Sequence, residues 1–416
     1  MRILKLKLHW QILIALLLAV FLGYFLPETG NRVGWIGELF LRALKMVIIP
    51  LVFSSIISGI SGLGGGKNLG RMGLKTISYY LLSSLLAIIT GLSLVNLVHP
   101  GEGVKLGVAQ DASGINQPVQ SVPDMFINMI PENVAGAMAS GNVLGVIVFA
   151  LLFGFFIHQL AEPYRKNLTT FFDGFFAVMM KITLFIIRFT PLGIFGLVAR
   201  EISRHAESMD KLAGSLLVYT FTVAAGLAVH AFVTLPLLVR WIGKARPFLH
   251  LKNMISPLLT AFSTASSSAT LPLTMDAVEN KSGVSNQVSS FTLPLGATIN
   301  MDGTALYECM VVMFIAQVYG IELSTGEQFL VVVTALLTSI GAAGIPMASL
   351  VMITVILTTV GLPLEGIGLI MAVDRILDMF RTAVNVWSDS CGAVIIARSE
   401  GEETALKYMP ACSGSH

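Results

Sequence analysis

Charge is what this sequence has least of. Only 12% of its 416 residues are Asp, Glu, Lys or Arg, while 55% are hydrophobic and the mean hydropathy is +0.80. A water-soluble domain of that length needs far more polar surface, so the composition excludes one. Cysteine is nearly as scarce. Cys309, Cys391 and Cys412 share neither metal-ligand nor redox spacing and read as free thiols. No cluster of Lys and Arg suggests a nucleic-acid partner, and the formal net charge is only +2. Strand-like alternation is missing too, which argues against a transmembrane barrel.

What the chain does have is long apolar runs, the mark of an all-α polytopic membrane protein. Conventional spans are expected near 10–26, 36–60, 74–98, 143–160, 171–199 and 215–239. The first follows Arg2, Lys5 and Lys7, but no small-residue cleavage site follows it, so it reads as a retained span. The second and fifth look longer than one crossing and contain Pro50 and Pro191, so tilt or kinks are expected there. Lys67, Arg71 and Lys75 share one connection, and Arg240, Lys244, Arg246 and Lys252 another. The intervening loops are acidic or mixed, with Glu102, Lys105 and Asp111 in one and Glu322 and Glu327 in another. The positive-inside rule then places the N-terminus and both basic connections in the cytoplasm. The polar, Gly-containing segment 101–123 reads as a flexible outer loop.

Beyond residue 250 the apolar runs are interrupted. The stretch "SPLLTAFSTASSSATLPLTMDAVEN" (256–280) has a hydroxyl-rich turn between arms too short to span. The stretch 331–361 repeats that plan around "SIGAAGIP". Between them "GATINMDGTALYE" (296–308) sets Asn300 and Asp302 in an apolar run, where an unwound break would expose backbone carbonyls. Broken segments survive at membrane depth only where protein or a water cavity satisfies the backbone. Small residues also mediate ordinary helix packing. Two matching interruptions around a polar break point instead to a transporter binding site.

The densest charge lies in "DRILDMFRTAVNVWSD" (374–389). Asp374, Asp378, Arg381, Asn385 and Asp389 follow one another at steps of 4, 3, 4 and 4. At about 100° per residue they share one helical face. A buried ionised group costs several kcal/mol, so such groups pair, meet water or act. Asp378 and Arg381 can pair within the helix as (i, i+3) neighbours. That leaves Asp374, Arg375 and Asp389 to explain. Alternatively, the Arg381 fork suits a carboxylate and Asp378 an ammonium, together matching an amino acid with an extra carboxylate. Asp389, Asp302, Asn300 and Asn385 offer hard oxygen ligands for a small cation.

Taken together, "SSSATLP", "NMDGTALYE", "SIGAAGIP" and "DRILDMFRTAVNV" resemble the dicarboxylate/amino acid:cation symporters, and the resemblance covers nearly the whole chain. It implies eight spans, two re-entrant hairpins, inverted repeats, a homotrimer in the plasma (inner) membrane with both termini cytoplasmic, and an elevator-type movement. It implies a scaffold of 1–72 and 124–200. The transport domain would be 73–100 with 201–416, including hairpins at about 253–280 and 328–360 and a cytoplasmic tail. Substrate would meet Ser266, Ser267, Thr304, Gly344, Ile345, Asp378, Arg381, Thr382 and Asn385, with Asp378 holding the α-amino group and Arg381 the side-chain carboxylate. One sodium would use Asp389 with backbone at Gly296 and Asn385, near Asn300. A second would use backbone at Thr298, Ser339, Ile340 and Ala342. A third would use Tyr80, Ser83, Ser84, Asn300 and Asp302. From the residues alone, Tyr80 and the two serines read as helix packing.

The resemblance also sorts substrates. Relatives for neutral amino acids lack an Arg at position 381, and those for C4-dicarboxylates lack an Asp at 378, so aspartate or glutamate is expected here. Neutral amino acids or C4-dicarboxylates are the alternatives. Glu308 stands where proton-carrying, potassium-exchanging members have an acid, and an acid in a low-dielectric site is a candidate proton carrier. A structural pair of Glu308 with Arg375 is the plainer reading. Ala265 stands where some members have Arg, Ser349 where Gly is common, and Ser388 where Gly is frequent. No enzymatic cofactor is expected. An ion channel could line its path with acids but has no need of Arg beside Asp on one face. An intramembrane aspartyl protease needs two carboxylates converging from separate segments. Here Asp374 and Asp378 share one helix.

Overall fold

The computed structural model describes residues 8–61, 67–104, 127, 130–140, 142–204, 209–339 and 349–406. Among these, all regular structure is helical. The first group comprises α1 (Leu8–Phe25), α2 (Pro27–Arg32), α3 (Gly34–Ser61) and α4 (Lys67–Val98). There follow α5 (Val134–Ser140), α6 (Val143–Gln159), α7 (Tyr164–Ile187), α8 (Thr190–Arg204), α9 (Met209–Val229) and α10 (Leu235–Trp241). The remainder are α11 (Pro247–Thr264), α12 (Ser267–Asp276), α13 (Asn286–Ile299), α14 (Asp302–Val318), α15 (Thr325–Ser339), α16 (Ser349–Thr359) and α17 (Ile367–Ser399). Among the described residues, the stretches Pro27–Ser61, Arg71–Val98, Tyr164–Ile187, Leu212–Trp241 and Asn286–Val318 are long and apolar enough to cross a membrane.

The expected span at 171–199 is two helices rather than one kinked helix. Pro191 is the second residue of α8, where its missing N–H costs nothing but ends the preceding ladder. The chain tightens before it, with Arg188 N–H bonding Phe185 O at 3.2 Å and Phe189 N–H bonding Ile186 O at 2.9 Å. Pro50, by contrast, lies inside a continuous α3. The expected span at 215–239 is one long element whose middle, His230–Thr234, is a π-helical turn between α9 and α10.

Two of the three expected interruptions fall, among the described residues, where the residue pattern implies. α13 ends at Ile299 and α14 begins at Asp302, leaving Asn300 and Met301 outside helical geometry. Asn300 and Met301 are buried, as is every residue of α14 except Gln317. α11 and α12 pack on each other across a reversal at Ala265, which takes a left-handed φ of 50°, and Ser266, which caps α12 by accepting from Ala269 N–H. α15 and α16 also pack on each other, and their connection lies outside the described residues.

Packing sorts the helices by neighbour. α1 packs on α8, and α3 on α6, α7 and α8. α14 packs on α4, α15 and α17, while α11 and α13 pack on α17. At one end, segment 400–406 straps several elements together. Glu400 accepts from Lys75 Nζ at 2.6 Å and from Arg71. These two bonds, with Lys75 the stronger influence, hold the Glu400 carboxyl below its usual range. Glu402 accepts from Ser285 Oγ at 2.5 Å, and Ala405 N–H bonds Ser282 O at 3.1 Å.

Candidate substrate and cation site

The charged stripe of α17 is buried, although a side chain in lipid or a packed core has every reason not to be charged. Arg381 has no exposed surface, and Asp374 is 1% exposed. Arg381 Nη2 donates to Asp374 Oδ1 at 3.1 Å and to Asp378 Oδ1 at 3.0 Å. Its guanidinium carbon lies 3.8 Å from the centre of the Tyr307 ring, and Tyr307 Oη donates to Asp374 Oδ1 at 2.8 Å. The intrahelical Asp378–Arg381 pair therefore forms, and Asp374 joins it from one turn further back. Arg381 Nε and Nη1 have no partner among the described residues. Arg375 Nη1 meets Asp378 Oδ2 at 3.4 Å rather than Glu308. Glu308, buried on α14, has Oε2 3.3 Å from Thr338 Oγ1 and no described partner for Oε1.

One turn further along, Asn385 joins α17 to the start of α14. Its Oδ1 accepts from Gly303 N–H at 2.8 Å, and its Nδ2 donates to Thr304 Oγ1 at 3.1 Å. The approach depends on Gly303, because a Cβ there would lie 2.7 Å from Arg381 O. Thr382 Oγ1 donates to Asp378 O at 2.8 Å. Thr304, Asp378, Arg381, Thr382 and Asn385 thus form one buried cluster. Ser267 is buried at the start of α12, which packs on α17. Gly344 and Ile345 lie outside the described residues.

A second polar cluster surrounds the helix break. Ser83 Oγ lies 3.2 Å from each of Tyr80 O, Asn300 Oδ1 and Asp302 Oδ1, and Ser84 Oγ lies 2.6 Å from Asp302 Oδ1. One hydroxyl proton cannot serve three acceptors, so lone pairs face one another, as a small hard cation requires. Tyr80 contributes its carbonyl to this set, since its hydroxyl is engaged with Thr292 O at 2.7 Å. Asp389 Oδ1 accepts from Asn300 Nδ2 at 2.9 Å and lies against Gly296, where a Cβ would come within 2.5 Å of it. The expected pairing of Asp389 with Gly296 and Asn300 is therefore one of position. Of the remaining cation set, Thr298 is exposed and donates to Leu295 O, and Ser339 is buried and donates to Leu336 O. Ile340 and Ala342 lie outside the described residues. Among the described residues, no three His, Cys, Asp or Glu gather as a multivalent metal would demand.

Two further participants carry little signal in the sequence. His230 Nε2 lies 3.0 Å from Asp302 Oδ2, within hydrogen-bond distance. The π-helical turn that begins at His230 is a feature frequent at functional sites. A lone His in an apolar span is its only trace in the sequence. Ser388 stands out there as a departure from Gly, but nothing in the residue pattern points to its bond from Oγ to Asp302 Oδ2 at 2.6 Å.

Residues 8–399 match the model of the sodium:dicarboxylate symporter family. An excitatory amino acid transporter of Caenorhabditis elegans is 36% identical, covering 94% of this chain and 86% of its own length. The proton/glutamate-aspartate symporter of Escherichia coli (strain K12) is 34% identical, covering 98% and 97%. The proton/sodium-glutamate symport protein of Bacillus caldotenax is 35% identical, covering 97% and 98%. The chain belongs to the sodium:dicarboxylate symporter family, a family of membrane transporters.

Proposed function

We propose that the chain takes up an acidic amino acid, aspartate or glutamate, together with sodium. The observation that carries this reading is the buried Arg381–Asp378–Asp374 group. In a low-dielectric site neither charge of a pair can be left alone without a cost of several kcal/mol. A ligand that takes Arg381 from Asp378 must therefore bring an anion for one and a cation for the other. A side-chain carboxylate and an α-ammonium on one molecule meet both demands. A plain dicarboxylate leaves Asp378 without a partner, and a neutral amino acid leaves Arg381 with its internal ones. Thr382, Asn385 and Thr304, with Ser266, Ser267, Gly344 and Ile345 at the hairpin tips, would hold the rest of the substrate.

Sodium would be carried by the oxygen cluster of Tyr80, Ser83, Ser84, Asn300 and Asp302, and by Asp389 with Gly296 and Asn385. The remaining set would be Thr298, Ser339, Ile340 and Ala342. Asn385 bonds the start of α14, so substrate and ion sites share a rigid support. In this reading eight spans and two re-entrant hairpins divide into a scaffold, 1–72 and 124–200, and a transport domain, 73–100 and 201–416. The transport domain moves as an elevator in a homotrimer of the plasma (inner) membrane, with cytoplasmic termini. Glu308 carries a proton.

The test is uptake of labelled aspartate, glutamate, succinate and serine by reconstituted protein under separate sodium, proton and potassium gradients. Aspartate or glutamate is expected to enter with sodium, and succinate and serine are not. Glu308→Gln is expected to lose the stimulation that an inward proton gradient gives the wild type, while retaining a sodium-driven component. Stimulation that survives in the variant removes Glu308 from the proton path.

A further inference from the structure

Asp302 is met on both of its oxygens, and the two sides differ. Oδ1 faces Ser83, Ser84 and, through Ser83, Asn300 Oδ1. Oδ2 faces away from that cluster, toward Ser388 Oγ at 2.6 Å and His230 Nε2 at 3.0 Å. Asn300 is split in the same manner. Its Nδ2 donates to Ser388 Oγ at 2.9 Å and to Asp389 Oδ1 at 2.9 Å, which turns Oδ1 toward Ser83. Among the described residues, Ser388 is thus the one side chain that bonds the back of both Asp302 and Asn300. It donates to the first and accepts from the second, two roles that its single hydroxyl oxygen fills at once. It is also fully buried.

We propose that Ser388 is a positioning residue of the cation site, its hydroxyl aiming Asp302 Oδ1 and Asn300 Oδ1 at one sodium ion and thereby setting sodium affinity. This rests on the sodium-coupled reading above. The bonds run without a gap from Asp389 through Asn300 and Ser388 to Asp302. Removing the hydroxyl leaves the Asn300 amide held on its nitrogen side by Asp389 Oδ1 alone, and the Asp302 carboxylate held at its back by His230 alone. Loss of a partner behind a metal ligand typically weakens metal affinity about 10–100-fold.

The experiment uses the full chain with Ser388→Ala and Ser388→Thr. Sodium is titrated without substrate, following tryptophan fluorescence, to which Trp387 contributes from beside the site, its Nε1 donating to Ala231 O next to His230. Half-saturating sodium for aspartate uptake is then measured in liposomes. Ser388→Ala is expected to raise half-saturating sodium about tenfold in both, while uptake at saturating sodium stays within about twofold of wild type. Ser388→Thr, which keeps the hydroxyl, is expected to return within about threefold of wild type. A Ser388→Ala titration superimposed on wild type, or a Thr variant as weak as Ala, overturns the assignment. A wild type with no sodium response in either readout overturns the sodium reading, and this inference with it.

Discussion

Arg381→Cys is expected to reduce uptake of aspartate and glutamate by more than about a hundredfold. Arg381 is the one fully buried cation of the α17 stripe, and it holds Asp374, Asp378 and the Tyr307 ring together. Breaking a buried pair by removing one partner costs about 3–5 kcal/mol, and each 1.4 kcal/mol is tenfold in affinity. The acidic substrate loses its fixed partner outright. Arg375 cannot stand in, because it lies on the flank of the stripe and reaches only Asp378 Oδ2, at 3.4 Å. The smaller side chain also opens space beside Thr382, so serine or another neutral amino acid is expected to compete where it did not before. Uptake of labelled aspartate and serine by both proteins, with detergent gel filtration as the folding check, reads this out. Aspartate uptake unchanged in the variant removes Arg381 from the substrate site.

The second large effect is expected on the ions. Asp302→Asn and Asp389→Asn should each raise half-saturating sodium by more than about tenfold, before any change in which amino acid is taken. The larger rise is expected for Asp302→Asn. Asp302 is surrounded by Ser83, Ser84, His230 and Ser388, so an amide there turns a donor toward donors. Asp389 Oδ1 accepts chiefly from Asn300 Nδ2, and an amide oxygen can still take that bond. Sodium dependence of uptake at fixed aspartate checks both variants. Sodium stimulation unchanged in both contradicts the ion assignment.

Much of this arrangement is legible in the residue pattern. The 4-3-4-4 spacing puts Asp374, Asp378, Arg381, Asn385 and Asp389 on one face of a single helix, and α17 carries them so. The break at Asn300 is legible because two polar residues in an apolar run must be satisfied somewhere. The ends of the fifth run are not. Pro191 starts a new helix there, whereas Pro50 is absorbed inside α3, so the presence of the ring alone does not tell the two outcomes apart. His230 is illegible for a related reason. A π-helical turn adds one residue to the register, and that shifts which face a side chain presents. Asp374 is visible as part of the stripe, but its task of holding Arg381 depends on Tyr307, which lies on a different helix.

The central claim is that one cluster binds an acidic amino acid and its neighbour binds the sodium that drives it. Concentrative uptake by the wild-type protein in liposomes tests that most directly, with labelled aspartate or glutamate outside and sodium as the only gradient. The account predicts accumulation above the bath concentration that collapses when a sodium ionophore is added. No accumulation under any cation gradient, or accumulation of succinate while both amino acids stay outside, would contradict it.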